Sequence, residues 1–235
     1  MALKEDIDNE VGQILAQTWD LRDGTVVPAT ESVLLAGGGV KLKATMLYAD
    51  LAESTKLAMD NRQTAARVCK AFLAASTRLI RANSGDVRSF DGDRVMGVFI
   101  GDSKNTSAAK CALQINWVFL NVIVPKFKGK YESFRNGGHI LAHGTGIDVS
   151  EVLAVRSGIR NNNDLIWIGR APNVAAKLSA IRGDGYSSFI TGEVYDQMRD
   201  DVKFGGDPTR SMWEERAWNA GPVKRVYRSN WGWAP

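Results

Sequence analysis

Cysteine, histidine and proline are scarce in this chain, with two, two and six copies in 235 residues. Cys69 and Cys111 both fall in apolar stretches of helical spacing, so they read as buried reduced thiols. A disulfide framework and a structural zinc site are thereby excluded. The most apolar run, Trp117 to Val124, is interrupted by Asn121 and is too short to cross a bilayer. The amino terminus "MALKEDIDNEVGQILAQTW" carries acids where a signal peptide needs an unbroken apolar core. No membrane partner is expected, and the chain reads as a cytoplasmic protein. Internal repeats, low-complexity blocks and a linker long enough to separate two domains are missing as well. Charge of one sign is not concentrated either: the net +4 arises from basic and acidic residues interspersed along the chain. That pattern lacks a nucleic-acid-binding signature, and a nucleotide phosphate suits it as well as any polyanion.

What is present is ample apolar material, 44% of residues, enough for one core with a modest appendage. The appendage is residues 1–40: a helix from about Glu5 to Trp19 and a turn-rich connection, expected to pack on one larger domain spanning 41–235. "LKATMLYADL" (Leu42 to Leu51) reads as a central strand ending at Asp50, with Tyr48 and Asp50 on one face. Ser54 and Thr55 are expected to cap one helix whose Val68, Phe72, Ala75 and Leu79 form a buried stripe. A hairpin follows, with arms Asp86 to Phe90 and Arg94 to Ile100, then a helix ended by Pro125 and a basic loop over Lys126 to Gly138. Strands are expected over His139 to Ile147, Glu151 to Val155 and Leu165 to Ile168. His139 and His143 alternate on one strand face there and read as structural. A helix from Pro172 buries Val174, Leu178 and Ile181 and sets Asn173 and Lys177 in a row of their own. A short strand, a short helix and a Trp-rich tail with a hairpin near Gly221-Pro222 complete the order.

Asp93, in "FDGDRVMGVF", sits at the hairpin tip beside Gly92. An Asp-Gly turn alone is ordinary hairpin chemistry. The strand-helix-strand-strand order, however, lets the hairpin pair beside the strand that ends at Asp50. Two carboxylates brought together repel unless divalent cations lie between them, and all-oxygen ligation suits magnesium or manganese. Thr55 and the backbone N–H groups at the start of the following helix would then offer a seat for a triphosphate.

Four segments carry a family resemblance. "MLYADLAEST" and "FDGDRVMGVF" resemble the two metal motifs of class III nucleotidyl cyclases, "TGIDVSEVLAV" their central strand pair, and "IWIGRAPNVAAKL" their ribose and transition-state helix. The motifs occur in the family's order. The resemblance implies a ferredoxin-like α/β catalytic fold acting as a head-to-tail homodimer, each active site built from both chains. It implies that Asp50, Asp93 and the Leu51 carbonyl hold two cations, that Asn173 orients the ribose, and that Lys177 stands where the family usually has arginine.

Adenylate-forming relatives read the base with a lysine and a polar acid or threonine at positions that are Ser89 and Ile166 here, so a purine pocket is in doubt. Tyr48 and Arg94 are candidates to read a smaller ring or a phosphate. Glu53 stands where relatives often have glycine, and Lys224 or Arg225 is a further basic candidate for the triphosphate. Together "YADLAEST", "GDRVM" and "GRAPNVAAKLS" resemble the bacterial Pycsar branch of class III, which forms cyclic pyrimidine monophosphates in phage defence. That resemblance implies a manganese-preferring enzyme, magnesium serving as well, that turns UTP into cyclic UMP for a separate effector. A CTP or purine cyclase and a non-catalytic nucleotide-sensing or dimerising module are the alternatives.

Overall fold

The computed structural model describes residues 2–183, 185–219 and 221–235. After helix α1 (Ala2–Ala16), strand β1 (Asp20–Asp23) and a short 3-10 turn, β2 (Gly38–Leu51) runs through the middle of the molecule. Helices α2 (Ser54–Asp60) and α3 (Arg62–Ala82) lead to the hairpin β3 (Asp86–Asp91) and β4 (Arg94–Phe99). Helix α4 (Lys104–Val118) continues through a π turn at Phe119–Ile123 into α5 (Val124–Lys130) and then α6 (Glu132–Arg135). Strands β5 (His143–Ile159) and β6 (Asn162–Gly169) precede α7 (Arg170–Ser179). The remainder is β7 (Ser188–Thr191), α8 (Gly192–Gln197), α9 (Asp200–Lys203), a two-residue pair β8 (Phe204–Gly205) and β9 (Arg210–Ser211), and the hairpin β10 (Glu214–Ala217) and β11 (Arg225–Ser229).

The main sheet has the order β10-β11-β7-β5-β2-β4-β3, with β1 added to β2 and β6 to β5. Within it, the run β5-β2-β4-β3 is the antiparallel arrangement of a ferredoxin-like fold. Strand alternation sorts the core into two layers. Leu47, Ala49 and Leu51 of β2 meet Phe72, Ile80, Leu113 and Phe119 from α3, α4 and the π turn. On the other face Val40, Leu42, Ala44 and Met46 meet Ala171 and Ala175 of α7, together with Val27 and Val33 from the connection before β2. Each fully buried phenylalanine, such as Phe72 or Phe119, contributes about 1.5–3 kcal/mol by leaving water.

Helix α7 lies very close to β5, and glycine makes that approach feasible. A Cβ on Gly146 would stand 2.2 Å from the Ala175 carbonyl oxygen, and one on Gly144 would stand 2.3 Å from that of Ser179. The start of α7 is held by an ion network. Arg170 donates from Nε to Asp148 Oδ2 at 3.0 Å, and from Nη2 to the Val149 carbonyl at 2.6 Å and to Glu193 at 2.5 Å. Thr191 Oγ1 adds a 2.7 Å bond to Asp148, which has no solvent exposure. Burial pushes the Asp148 carboxyl up, and the hydrogen bonds from Thr191 and Arg170 pull it back only in part. The free N–H of Ala171 is capped by the Ser150 hydroxyl at 3.0 Å, a partner from β5 and not from the helix's own sequence.

Several local expectations change. The helix after Asp50 is two helices, because Asn61 leaves helical geometry and its side chain caps α3 by accepting from Thr64 N. Ser54 and Thr55 lie inside the first turn of α2, and the N-cap is Glu53. Pro125 does not end its helix: after the π turn it enters at the first turn of α5, where a missing N–H costs little, and helix replaces most of the expected basic loop. The expected strands over 139–155 form one strand, β5, that begins only at His143. His139 therefore lies outside the sheet, paired with Asp60 at 3.0 Å, while buried His143 meets Asn116 Oδ1 at 3.2 Å.

Because the helix continues, Lys104–Lys130 is long and apolar enough to span a bilayer by length and composition, unlike the shorter run read from the sequence. Its Ala108, Cys111, Leu113, Ile115 and Phe119 are buried against the sheet, which is how a core helix spends its apolar surface. Burial raises the Cys111 thiol, as expected of an inert, reduced cysteine. Within one chain α1 buries none of its residues, and Leu3, Ile7, Val11 and Ile14 remain exposed along it. The packing expected of the N-terminal extension is thus not made by its helix. It comes from β1, paired in parallel with β2, and from Val27 and Val33.

Candidate active site

The end of β2 gathers the chemistry. Asp50 is 8% exposed and lies opposite Arg94 in the β2-β4 register, so the residue before Arg94, Asp93, sits in the turn at the same end of the ladder. Gly92, at φ 60°, makes that turn. Asp93 is half-buried, and its carboxylate adds to burial in raising the Cys69 thiol on α3. The Leu51 side chain is buried in the core while its carbonyl oxygen accepts a 3.4 Å bond from Arg182 Nη2.

Two guanidinium groups meet Asp50. Arg182 Nη2 donates to Oδ2 at 2.9 Å, and Arg94 Nε stands 3.4 Å from Oδ1 without a well-aligned hydrogen bond. Arg94 also lies over the Tyr48 ring at 5.9 Å, so Tyr48, Asp50 and Arg94 share one sheet face as the alternation required. Tyr48 is partly buried; burial raises its hydroxyl, with Arg94 opposing and Asp91 adding to the shift.

Among the described residues, no group of three or more His, Cys, Asp or Glu gathers to hold a metal. A cation at the end of β2 would rest on Asp50, Asp93 and the Leu51 carbonyl, completed by water or substrate oxygens, as hard divalent ions accept. A positively charged group, the Arg182 guanidinium, already bridges Asp50 and the Leu51 oxygen.

Ala52 N–H is engaged by the Ala142 carbonyl at 2.9 Å, and α2 is only seven residues long, so its dipole is small. Thr55 is exposed in its first turn. Glu53 adopts φ 56°, a left-handed geometry, with its side chain turned outward toward Lys56 at 3.9 Å.

Asn173 and Lys177 are exposed one turn apart on α7, and Asn173 Nδ2 donates to the Gly169 carbonyl at 3.1 Å. They line a recess of about 490 Å³ with Arg170, Val174 and Pro222, whereas Asp50, Leu51 and Arg182 line another of about 710 Å³. One chain therefore places Asp50 and the α7 pair in different recesses. Ser89 is on β3 opposite Met96, and Ile166 is 47% exposed on β6. Arg225 is engaged by Asp196. Sequence reasoning assigned nothing to Arg182 or to the Asp148-Arg170-Glu193 network. The only available hint for Arg182 was a basic residue followed by Gly183 just past a functional helix.

No protein-family profile matches this chain. Its fold is shared with a bacterial light-regulated adenylyl cyclase (TM-score 0.64, 21% identity, 81% of this chain and 52% of that one). It is shared as well with the adenylyl cyclase CyaB from P. aeruginosa (TM-score 0.61, 20% identity, 81% and 95%). The main sheet and its helices thus have the fold of these cyclase structures. A uridylate cyclase of Rhodovulum sp. (strain MB263) is 43% identical over 233 residues, 98% of this chain and 97% of that protein. The chain belongs to the uridylate cyclase family. The uridylate cyclase of Burkholderia cepacia is also similar, at 40% identity over 236 residues and 99% of both chains.

Proposed function

We propose that the protein is a nucleotide cyclase that converts UTP into 3′,5′-cyclic UMP and pyrophosphate in the cytoplasm, as a head-to-tail homodimer. The observation that carries this reading is identity of 37–43% with uridylate cyclases over nearly the whole chain. The separation of Asp50 from Asn173 and Lys177 supports the dimer, because a second copy can bring its α7 to the first copy's strand end.

Class III cyclases use divalent metal cations, and here Asp50, Asp93 and the Leu51 carbonyl would hold them, with manganese preferred over magnesium. Bound there, such ions supply Lewis acidity, lowering the pKa of the ribose 3′-hydroxyl and offsetting triphosphate charge. Asn173 orients the ribose so that its 3′-oxygen is in line with the α-phosphorus. The 3′-hydroxyl gives up its proton to solvent, the new bond joins its oxygen to the α-phosphorus, and the bond from the α-phosphorus to the oxygen bridging to the β-phosphate breaks to release pyrophosphate. Lys177 places a point charge beside the α-phosphate oxygens as their charge grows. No covalent enzyme intermediate is required.

Tyr48 offers a ring face to the base, and Arg94, already stacked on it, can turn its N–H groups to a uracil carbonyl. Ser89 and Ile166 present none of the charge a purine edge would need. The product is a diffusible signal for a separate effector in antiphage defence. Incubation with each of the four ribonucleoside triphosphates and manganese, followed by separation of products, tests the proposal. Cyclic UMP should dominate; dominant cyclic AMP or GMP would overturn it, and dominant cyclic CMP would reassign the base.

A further inference from the structure

Arg182 is not among the four motif segments, yet its guanidinium occupies the centre of the strand-end site. Nη2 reaches Asp50 Oδ2 at 2.9 Å and the Leu51 carbonyl at 3.4 Å. These are two of the oxygens assigned above to a divalent cation. Nη1 is held by the carbonyls of Ser179 and, at 3.0 Å, Ile181, where α7 ends. A helix C-terminus is favourable for a cation, so this half of the guanidinium has an anchor independent of Asp50.

The neighbouring backbone makes room for the group. Gly144 is the β5 register partner of Asp50, and a Cβ there would stand 2.4 Å from Arg182 Nη1. The chain just after Arg182 turns through Gly183 at φ 99°, a conformation that glycine adopts without strain. The side chains of Arg182 and Asp50 keep 31% and 11% of their exposure, so the pair is open enough to exchange.

We infer that Arg182 is an internal counter-cation: it occupies Asp50 and the Leu51 carbonyl until a divalent metal takes them, and metal entry expels it. The inference rests on the reading of Asp50 and Leu51 as metal ligands. A guanidinium and a metal ion on the same oxygens repel each other as like charges, so the two compete for Asp50 Oδ2 and the Leu51 oxygen. Arg182 therefore lowers apparent metal affinity by the free energy of its own contact, and it keeps a buried carboxylate satisfied when no metal is present. Once expelled, the group remains tied to the end of α7 through Ser179 and Ile181.

Manganese binding to the full chain without nucleotide, followed by the electron paramagnetic resonance signal of free Mn²⁺, provides the test. Arg182→Gln should bind Mn²⁺ roughly three- to tenfold more tightly than the wild type, and Arg182→Lys should fall between them. Asp50→Asn should weaken binding by at least about tenfold. Wild-type or weaker affinity in Arg182→Gln, with binding lost in Asp50→Asn, would overturn the counter-cation and leave the metal reading standing. Unchanged binding in Asp50→Asn would overturn the metal reading and the counter-cation with it. Should Arg182→Gln fail to fold, Arg182→Lys decides: affinity no tighter than wild type overturns the inference.

Discussion

Asp148 on β5 and Asp50 on β2 are carboxylates on adjacent central strands, and each is met by arginine. Asp148 is fully buried, with Thr191 and both branches of Arg170 aligned on it, and Arg170 extends the network to Glu193. Asp50 keeps some exposure; one arginine is well placed on it and the other, Arg94, lies at 3.4 Å in poor alignment. The first arrangement is saturated and locks α7 onto the sheet. The second leaves one of its two arginines out of alignment at a strand end. Residue type alone does not separate a structural from a functional carboxylate; saturation and access do.

Substitutions can break that contrast. The largest effect is expected for Asp50→Asn, with cyclic nucleotide formation falling at least about 10³-fold. Its Tm should change by less than about 3 °C, because the lost contacts are exchangeable. Discontinuous product assays and a thermal melt check both halves. Asp148→Ala should do the reverse, costing about 3 kcal/mol by stranding Arg170 and Thr191. A fall of roughly 10 °C in Tm is expected, with activity declining mainly through loss of folded protein.

A smaller effect tests whether the helix that Asp148 anchors serves the chemistry that Asp50 begins. Lys177→Ala should lower kcat about 10- to 100-fold with little change in KM, and Lys177→Arg should retain activity, since either cation can meet growing charge on the α-phosphate. Steady-state kinetics with UTP and manganese separate the two constants. The smallest effect belongs to the loop beside Asp50. Glu53 is left-handed at φ 56°, so Glu53→Gly removes strain of about 1–2 kcal/mol and adds about 0.5–1 kcal/mol of chain entropy cost. The net gain of roughly 0.5 kcal/mol should appear as a small rise in the urea midpoint.

Much of this was legible in the letters. Alternation along "LKATMLYADL" put Tyr48 and Asp50 on one face because a strand repeats every second residue, and Arg94 proved to be their neighbour across β4. The buried stripe of α3 and the α7 pair Asn173 and Lys177 followed from helical periodicity, which is a local property. Boundaries read less well. Pro125 signals a helix end in isolation, and only the π turn packed beneath it carries the helix onward. His139 looked like a strand residue until its pairing with Asp60 placed it in a loop.

By itself the sequence determined the order of elements, the face on which each candidate side chain lies, and the family, since near-neighbour spacing and motif order survive without a fold. Only the tertiary structure decided which carboxylate is fully buried and saturated with hydrogen bonds and which keeps some exposure. Asp50 and Arg182 are 132 residues apart, as are the two sides of no local motif, and their contact exists because β2 pairs with β5 and α7 settles onto the glycines of that strand. Contacts of that range depend on sheet register and helix approach, which no short window of residues encodes.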